Sequence, residues 1–271
     1  MSGARTPFPE PARAAAAPAP RPARRARRAR RVRPQAGRPV WLFDLDNTLH
    51  HASHAIFPAI NAAMTQYIID TLQVDRARAD HLRTFYTHRY GAALLGLARH
   101  HPIDPHDFLK VVHTFTDLPS MVRGERGLAR RVAALPGRKL ILTNAPEAYA
   151  RAVLAELGIE RLFERVIAIE QMRDRRAWRA KPDAAMLRRA MRDARARLSD
   201  AILVEDTRSH LKRYKGLGIR TIWITGHLPG HLPRIGRPHY VDRRIASLQS
   251  LRLSTRAGRR KCSRLNRGTR P

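Results

Sequence analysis

The sequence predicts an α/β fold: a doubly wound parallel sheet, interrupted after its first strand by an inserted all-helical domain. Three observations predict it. Five short apolar runs recur along the chain. Helical stretches alternate with them from the second run onward. One long segment between the first and second runs holds helical patterns and no strand. Strands alternating with helices imply a parallel sheet covered on both faces.

The strand runs are residues 40–43, 140–142, 166–169, 201–204 and 221–224. Each is short, as doubly buried parallel strands should be. After the second run, residues 147–157 read as a helix stopped by Gly158, with Asn144 and Glu147 resembling a capping box and Pro146 in the first turn. Residues 183–196 and 209–217 are the next two helices, the second followed by Gly218. In the interrupting segment, residues 59–72, 77–90, 92–100 and 106–115 carry helical patterns. The expected organisation is therefore a core over residues 39–50 and 122–251 and a helical cap over 51–121. A cap there could close over the sheet edge and exclude water.

The two ends differ from this body. Residues 1–38 repeat Ala, Arg and Pro, with 11 Arg against the single acid Glu10. Residues 252–271 hold 7 Arg and Lys261 with no acid. Neither stretch has a hydrophobic period or enough apolar surface to fold alone, so each reads as a disordered basic arm or tail. The net charge is +31, and residues 39–251 retain +13 of it. Such an excess can be a nucleic-acid footprint, and it can equally be a coding bias toward Arg, Ala and Pro. Its spread along the body, rather than clustering, favours the second origin.

No apolar run approaches the roughly 18–20 residues that span a bilayer. No signal-like apolar stretch follows the N-terminal charges. The one cysteine, Cys262, allows no intrachain disulfide. A cytoplasmic location without membrane attachment is the expectation that remains. The 13 histidines show no His-Glu-x-x-His spacing, and no glycine-rich loop ends in Gly-Lys-Ser/Thr, so zinc-protease and nucleotide-triphosphate motor chemistry lack support. His50, His51, His54, His100 and His101 read as surface or helix-end residues.

Four of the five runs end in, or lead into, polar residues of a useful type: Asp44 and Asp46, then Thr143 and Asn144, then Lys181, then Glu205 and Asp206. Taken alone, Thr143-Asn144 reads equally as a helix cap and Lys181 as a solvated charge. In open parallel sheets, however, ligands bind beyond the carboxyl ends of the strands, and there all of these converge. Crowded carboxylates repel unless a cation sits among them, and an oxygen-only set suits Mg²⁺. A lysine and a hydroxyl beside that cation would cradle a phosphoryl group.

This arrangement resembles the haloacid dehalogenase-like hydrolase superfamily over roughly residues 39–250, most specifically in Asp44-Leu-Asp46-Asn-Thr48-Leu. The resemblance implies a Rossmann-like core and the following roles. Asp44 is the nucleophile and a magnesium ligand, forming an aspartyl-phosphate. Asp46 is the general acid and then base, and its main-chain carbonyl also ligates magnesium. Thr143 and Asn144 bind phosphate, Lys181 neutralises charge, and Asp206 completes the metal site. Glu205 stands where many relatives have glycine and would orient Lys181 or a water. His210 stands where many carry Asp or Asn, which weakens the expected support of the metal. Asp46 favours ester cleavage over dehalogenation and leaves phosphomutase chemistry open.

Within the insert, residues 90–97 and 107–119 are similar to the pyrimidine 5′-nucleotidase branch. That similarity implies hydrolysis of nucleoside 5′-monophosphates, with His113 a candidate substrate contact and Tyr90, Leu94 and Leu97 packing the insert. A sugar-phosphate or phosphoglycolate-type phosphatase or mutase is the alternative within the superfamily. The alternative of another class is a nucleic-acid or polyanion binder that uses the basic ends on an inert scaffold.

Overall fold

In the structure, a computed structural model describing residues 38–175, 177–228 and 236–251, every residue of β1 (Val40–Phe43) is buried. Its side chains alternate between two clusters. Trp41 and Phe43 join one with Val132, Val153 and Leu154, while Val40 and Leu42 join the other with Leu187, Met191 and Leu211. β4 (Ala201–Glu205) divides in the same way, Ile202 and Val204 against Ala201 and Leu203. A strand covered on both faces needs an apolar residue at every position, which is why these runs are continuous rather than alternating.

The remaining strands are β2 (Arg138–Leu142), β3 (Arg165–Ile167), β5 (Arg220–Ile224) and β6 (Arg243–Ile245). Among the described residues they form one parallel sheet of six strands in the order β3-β2-β1-β4-β5-β6. The chain steps outward from β1 to β2 and β3, then returns to lay β4 on the other side of β1. Such a reversal opens a crevice beyond the carboxyl ends of the central strands. β6 was not expected. Its sequence is Arg-Arg-Ile with only Ile245 buried, so an edge strand of this kind offers no apolar run. The third run ends earlier than expected, at Ile167, because the Gln171 side chain accepts from the Ala168 N–H at 2.9 Å and turns the chain into a helix.

One face of the sheet is covered by α6 (Leu128–Ala133) and α7 (Glu147–Glu156), the other by α9 (Ala184–Asp193) and α10 (Arg208–Lys215). Between β1 and β2 lie α1 (Ile56–Leu72), α2 (Arg76–Tyr90), α3 (Ala93–His100), α4 (Pro105–Val112) and α5 (Leu118–Met121), with α8 (Ile169–Met172) following β3. The starts of α2 and α4 are fixed by Asp75 and Asp104, whose carboxylates accept from the N–H groups of Arg78 and His106, the cap pattern expected of aspartate.

Helices α1 to α4 have a hydrophobic cluster of their own, built from Ile68, Leu82, Tyr86, Leu94, Leu97, Phe108 and Val112. Leu94 and Leu97 sit inside it and Tyr90 packs at its edge. Ile169 and Ala180, from the segments after β3, complete this cluster, so the helical insert seats on the chain next to position 181. The seat is close at Gly91, which has φ +89°; a Cβ there would lie 3.2 Å from the Lys181 carbonyl oxygen. No helix among the described residues is long and apolar enough to cross a membrane. The expected basic arm, Arg38 aside, and the expected tail lie outside the described residues.

Candidate active site

Asp44 follows β1 directly, and its N–H still pairs with the Val204 carbonyl at 3.0 Å. The chain then turns sharply. Asn47 takes a left-handed φ of +58°, which asparagine tolerates. Its side chain clasps Ser53, accepting from the Ser53 N–H at 3.0 Å and donating to the hydroxyl at 2.8 Å. Thr48 Oγ1 donates to Asp44 Oδ2 at 3.0 Å. The turn thus holds Asp44 and Asp46 at the strand tip.

The neighbouring tips supply the rest. Thr143 continues the β2–β3 pairing through its N–H to Ile167 at 3.0 Å. Its Oγ1 accepts from the Ala145 N–H at 3.0 Å, which leaves the hydroxyl proton free to donate. Asn144 Oδ1 accepts from the Lys181 N–H at 2.7 Å, and its amide donates back to the Lys181 carbonyl at 3.4 Å. This pair of bonds replaces the expected capping box. The helix begins after Pro146 without a side-chain cap, and the Glu147 N–H goes instead to the Glu170 carboxylate.

Lys181 is 2% exposed. Its Nζ donates to Asp44 Oδ1 at 2.5 Å and to Glu205 Oε2 at 2.9 Å. Burial would lower this ammonium, but the two carboxylates outweigh it and raise the group above its ordinary range, so it stays charged. Glu205 ends β4. Burial opposes its charge, yet Lys181 and His210 hold it well below the usual carboxylate range; His210 Nδ1 lies 3.2 Å from Glu205 Oε2. Asp206 is tied through its carbonyl to Trp223 Nε1 at 2.9 Å, and its carboxylate accepts from the Thr207 hydroxyl at 2.9 Å.

Asp44, Asp46, His113, Thr143, Asn144, Lys181, Glu205 and Asp206 all line one cavity of about 740 Å³. Five segments distant in sequence are therefore brought together there. The far wall comes from the insert: Phe57, Ile60, Met64, Leu94 and Phe108 give an apolar surface, and Asn61, Arg83, Thr87 and His88 add polar groups. His50 corrects the sequence reading. It is fully buried rather than at the surface, and its Nε2 lies 2.9 Å from Asp46 Oδ1. Tyr149, on α7, also reaches Asp46 and had no sequence signal; its hydroxyl donates to the same Oδ1 at 2.6 Å. Burial would raise Asp46, but the bonds from His50 and Tyr149 outweigh it and hold the carboxyl below its ordinary value.

Carboxylate oxygens of Asp44, Glu205 and Asp206 lie within 4.8 Å of one another. Lys181 answers Asp44 and Glu205, while among the described residues no cationic side chain pairs with Asp206. Burial together with the charges of Glu205 and Asp44 pushes Asp206 well up. Burial and Glu205 raise Asp44 to about 6. An all-oxygen donor set with uncompensated negative charge fits a hard divalent cation.

That electrostatic balance has a pH signature. Both raised aspartates start from 3.8 when unperturbed. A raised acid favours the fold only while protonated, so its contribution is full at low pH and lost as pH rises toward about 6 and beyond. A divalent cation needs the ionised forms and gains most above that window. Magnesium at about a hundredfold excess over its Kd should raise Tm by roughly 5–10 °C at pH 7.5 and far less at pH 5. Equal shifts at both pH values in thermal melts would contradict this account of the cluster.

Against known proteins, the model of the haloacid dehalogenase-like hydrolases matches residues 40–218. The chain is 27% identical over 218 residues to a phosphoglycolate phosphatase of Cereibacter sphaeroides, covering 73% of this chain and 92% of that protein. It is 24% identical over 199 residues to phosphate metabolism protein 8 of Saccharomyces cerevisiae, covering 69% of this chain and 61% of that protein. Among solved structures, CbbY from Rhodobacter sphaeroides in complex with phosphate superposes with a TM-score of 0.56 at 21% identity, over 79% of this chain and 96% of that one. A phosphatase from Thermococcus onnurineus superposes at 0.54 with 16% identity, over 78% and 94%. At these identities the two structures speak to the fold.

Proposed function

As the chain belongs to the haloacid dehalogenase-like hydrolases, we propose that it is a magnesium-dependent phosphatase of small phosphomonoesters, with pyrimidine nucleoside 5′-monophosphates as preferred substrates. The observation that carries the reading is the meeting of Asp44, Lys181, Thr143 and Asp206 in one cavity, with Asp46 beside them. Asp44 attacks phosphorus, and the bond from phosphorus to the ester oxygen breaks. Asp46 gives its proton to the departing alkoxide. Lys181, charged throughout, and the Thr143 hydroxyl bind the phosphoryl oxygens as charge develops on them. Asp46 then takes a proton from water, which attacks the aspartyl-phosphate, frees phosphate and restores Asp44. Asp44 and Asp206, with the Asp46 main-chain carbonyl, would hold magnesium, which when bound neutralises charge on the phosphoryl group. The Asn144 side chain serves the Lys181 main chain, so any phosphate contact from Asn144 would come through its N–H.

The cavity supports a leaving group larger than glycolate. Its volume, about 740 Å³, is in the range of pockets that enclose drug-sized ligands, and one wall is apolar. In that wall, Arg83 Nη1 donates to Asn61 Oδ1 at 3.1 Å, and Arg83 is itself fixed by Thr65 and Asp80. With its amide oxygen engaged by Arg83, Asn61 keeps its N–H₂ as the donor it can offer a ring carbonyl in the cavity it lines. Asn61→Ala should raise KM for UMP and CMP roughly tenfold, the size of one lost hydrogen bond, with kcat within about twofold. Unchanged KM would remove Asn61 from the substrate site.

A second reading, a sugar-phosphate or phosphoglycolate phosphatase, draws on the name of the Cereibacter sphaeroides relative. A phosphomonoester panel assayed with magnesium decides between the two. Turnover confined to phosphoglycolate or sugar phosphates would replace the nucleotide reading, and no turnover of any ester would reject the phosphatase.

A further inference from the structure

We infer that Tyr149 and His50 are positioning residues that select which oxygen of Asp46 serves the leaving group. The inference rests on the phosphatase reading, and nothing in the sequence motif requires either residue. Both of their hydrogen bonds fall on Asp46 Oδ1, from the Tyr149 hydroxyl at 2.6 Å and from His50 Nε2 at 2.9 Å. Among the described residues, both side-chain donors to Asp46 thus fall on Oδ1 and none on Oδ2. With His50 in its Nε2–H tautomer, Oδ1 accepts from two donors, so a neutral Asp46 has Oδ1 as its carbonyl oxygen and its proton on Oδ2. A proton that Asp46 carries to the leaving group is thereby directed to Oδ2, in a residue that lines the cavity.

Both donors are held rigidly. The backbone of His50 bridges to Asp46 and to Gly124, and its side chain is 0% exposed. The other ring nitrogen, Nδ1, is buried without a partner. An apolar residue would pack there without stranding that atom, so the single bond to Asp46 is what the imidazole contributes. Tyr149 is buried on α7 and wedged between His113 and Phe115, ring centroids 5.3 and 5.7 Å away. His113 is itself anchored through Nδ1 to the Leu109 carbonyl at 2.9 Å. The insert therefore bears on Asp46 through Tyr149.

The test compares kcat/KM for esters whose leaving groups differ in basicity. p-Nitrophenolate departs without acid help, whereas a nucleoside alkoxide needs it. Tyr149→Phe should lower kcat/KM roughly 30–100-fold for UMP, or for the best alkyl phosphate the wild type accepts, and less than about threefold for p-nitrophenyl phosphate. His50→Leu should show the same asymmetry, and His50→Gln, which keeps an N–H donor, should recover most of it. Equal losses on both esters, or no loss on either, would overturn the inference. If the wild type cleaves neither ester, the phosphatase reading itself falls, and the inference with it.

Discussion

Asp44→Asn is expected to lower kcat by roughly four to six orders of magnitude, the scale seen when a covalent nucleophile is removed, while leaving the fold intact. This corresponds to about 5–8 kcal/mol of barrier. The geometry explains why fold and activity separate here. The Asp44 carboxyl is buried against Glu205 and stands at about 6 rather than 3.8, so its charge is not a net source of stability without a cation. The asparagine oxygen can still accept from Lys181, and Thr48 Oγ1 can turn to accept from the new amide. A thermal melt within a few degrees of wild type, absence of a phosphorylated enzyme by mass spectrometry and loss of turnover together form the expected result. Activity retained within tenfold would mean that another group attacks phosphorus.

Lys181→Met should damage both stability and turnover. The ammonium is buried between two carboxylates, and deleting one partner of such a group leaves uncompensated charge costing about 3–5 kcal/mol. In a chain of this size that lowers Tm by roughly 10 °C. The remaining Asp44, Glu205 and Asp206 would then repel one another more strongly, so magnesium should recover a larger share of Tm than it adds to wild type. Activity should fall about 10²–10³-fold, the effect of losing one donor to developing charge. A melt unchanged from wild type would show that Glu205 and Asp44 neutralise by taking up protons instead. Lys181→Arg is no conservative control, since a branched planar fork does not fit a slot made for a single point charge.

Asp44 and Asp46 were legible because a carboxylate directly after an apolar strand has few structural uses. Thr143, Lys181 and Asp206 became legible together, since parallel-sheet topology carries every strand tip to one edge. Tyr149 was not. It stands on α7 in register with buried Ala150 and Val153, so its spacing says only that it faces the core. His50 did carry a signal, four residues after Asp46, but its place among neighbouring histidines masked it; His51 is partly exposed and His54 exposed. Asn144 was read as a helix cap because local spacing is blind to a partner 37 residues away. β6 escaped because pairing at a sheet edge is set by main-chain bonds, and its two arginines give no apolar pattern.

Gly91 has a consequence for engineering. It is the point where the helices between β1 and β2 rest against the carbonyl of residue 181. Chimeras that exchange this helical segment for that of another hydrolase, cut at the outer joints near 51 and 121, would import a foreign residue at that contact. Any side chain there has to adopt an unfavourable backbone twist and also press on the strand of chain bearing the ammonium. Transplanted specificity would then arrive with a misplaced cation, unless the donor segment brings its own glycine to the same spot.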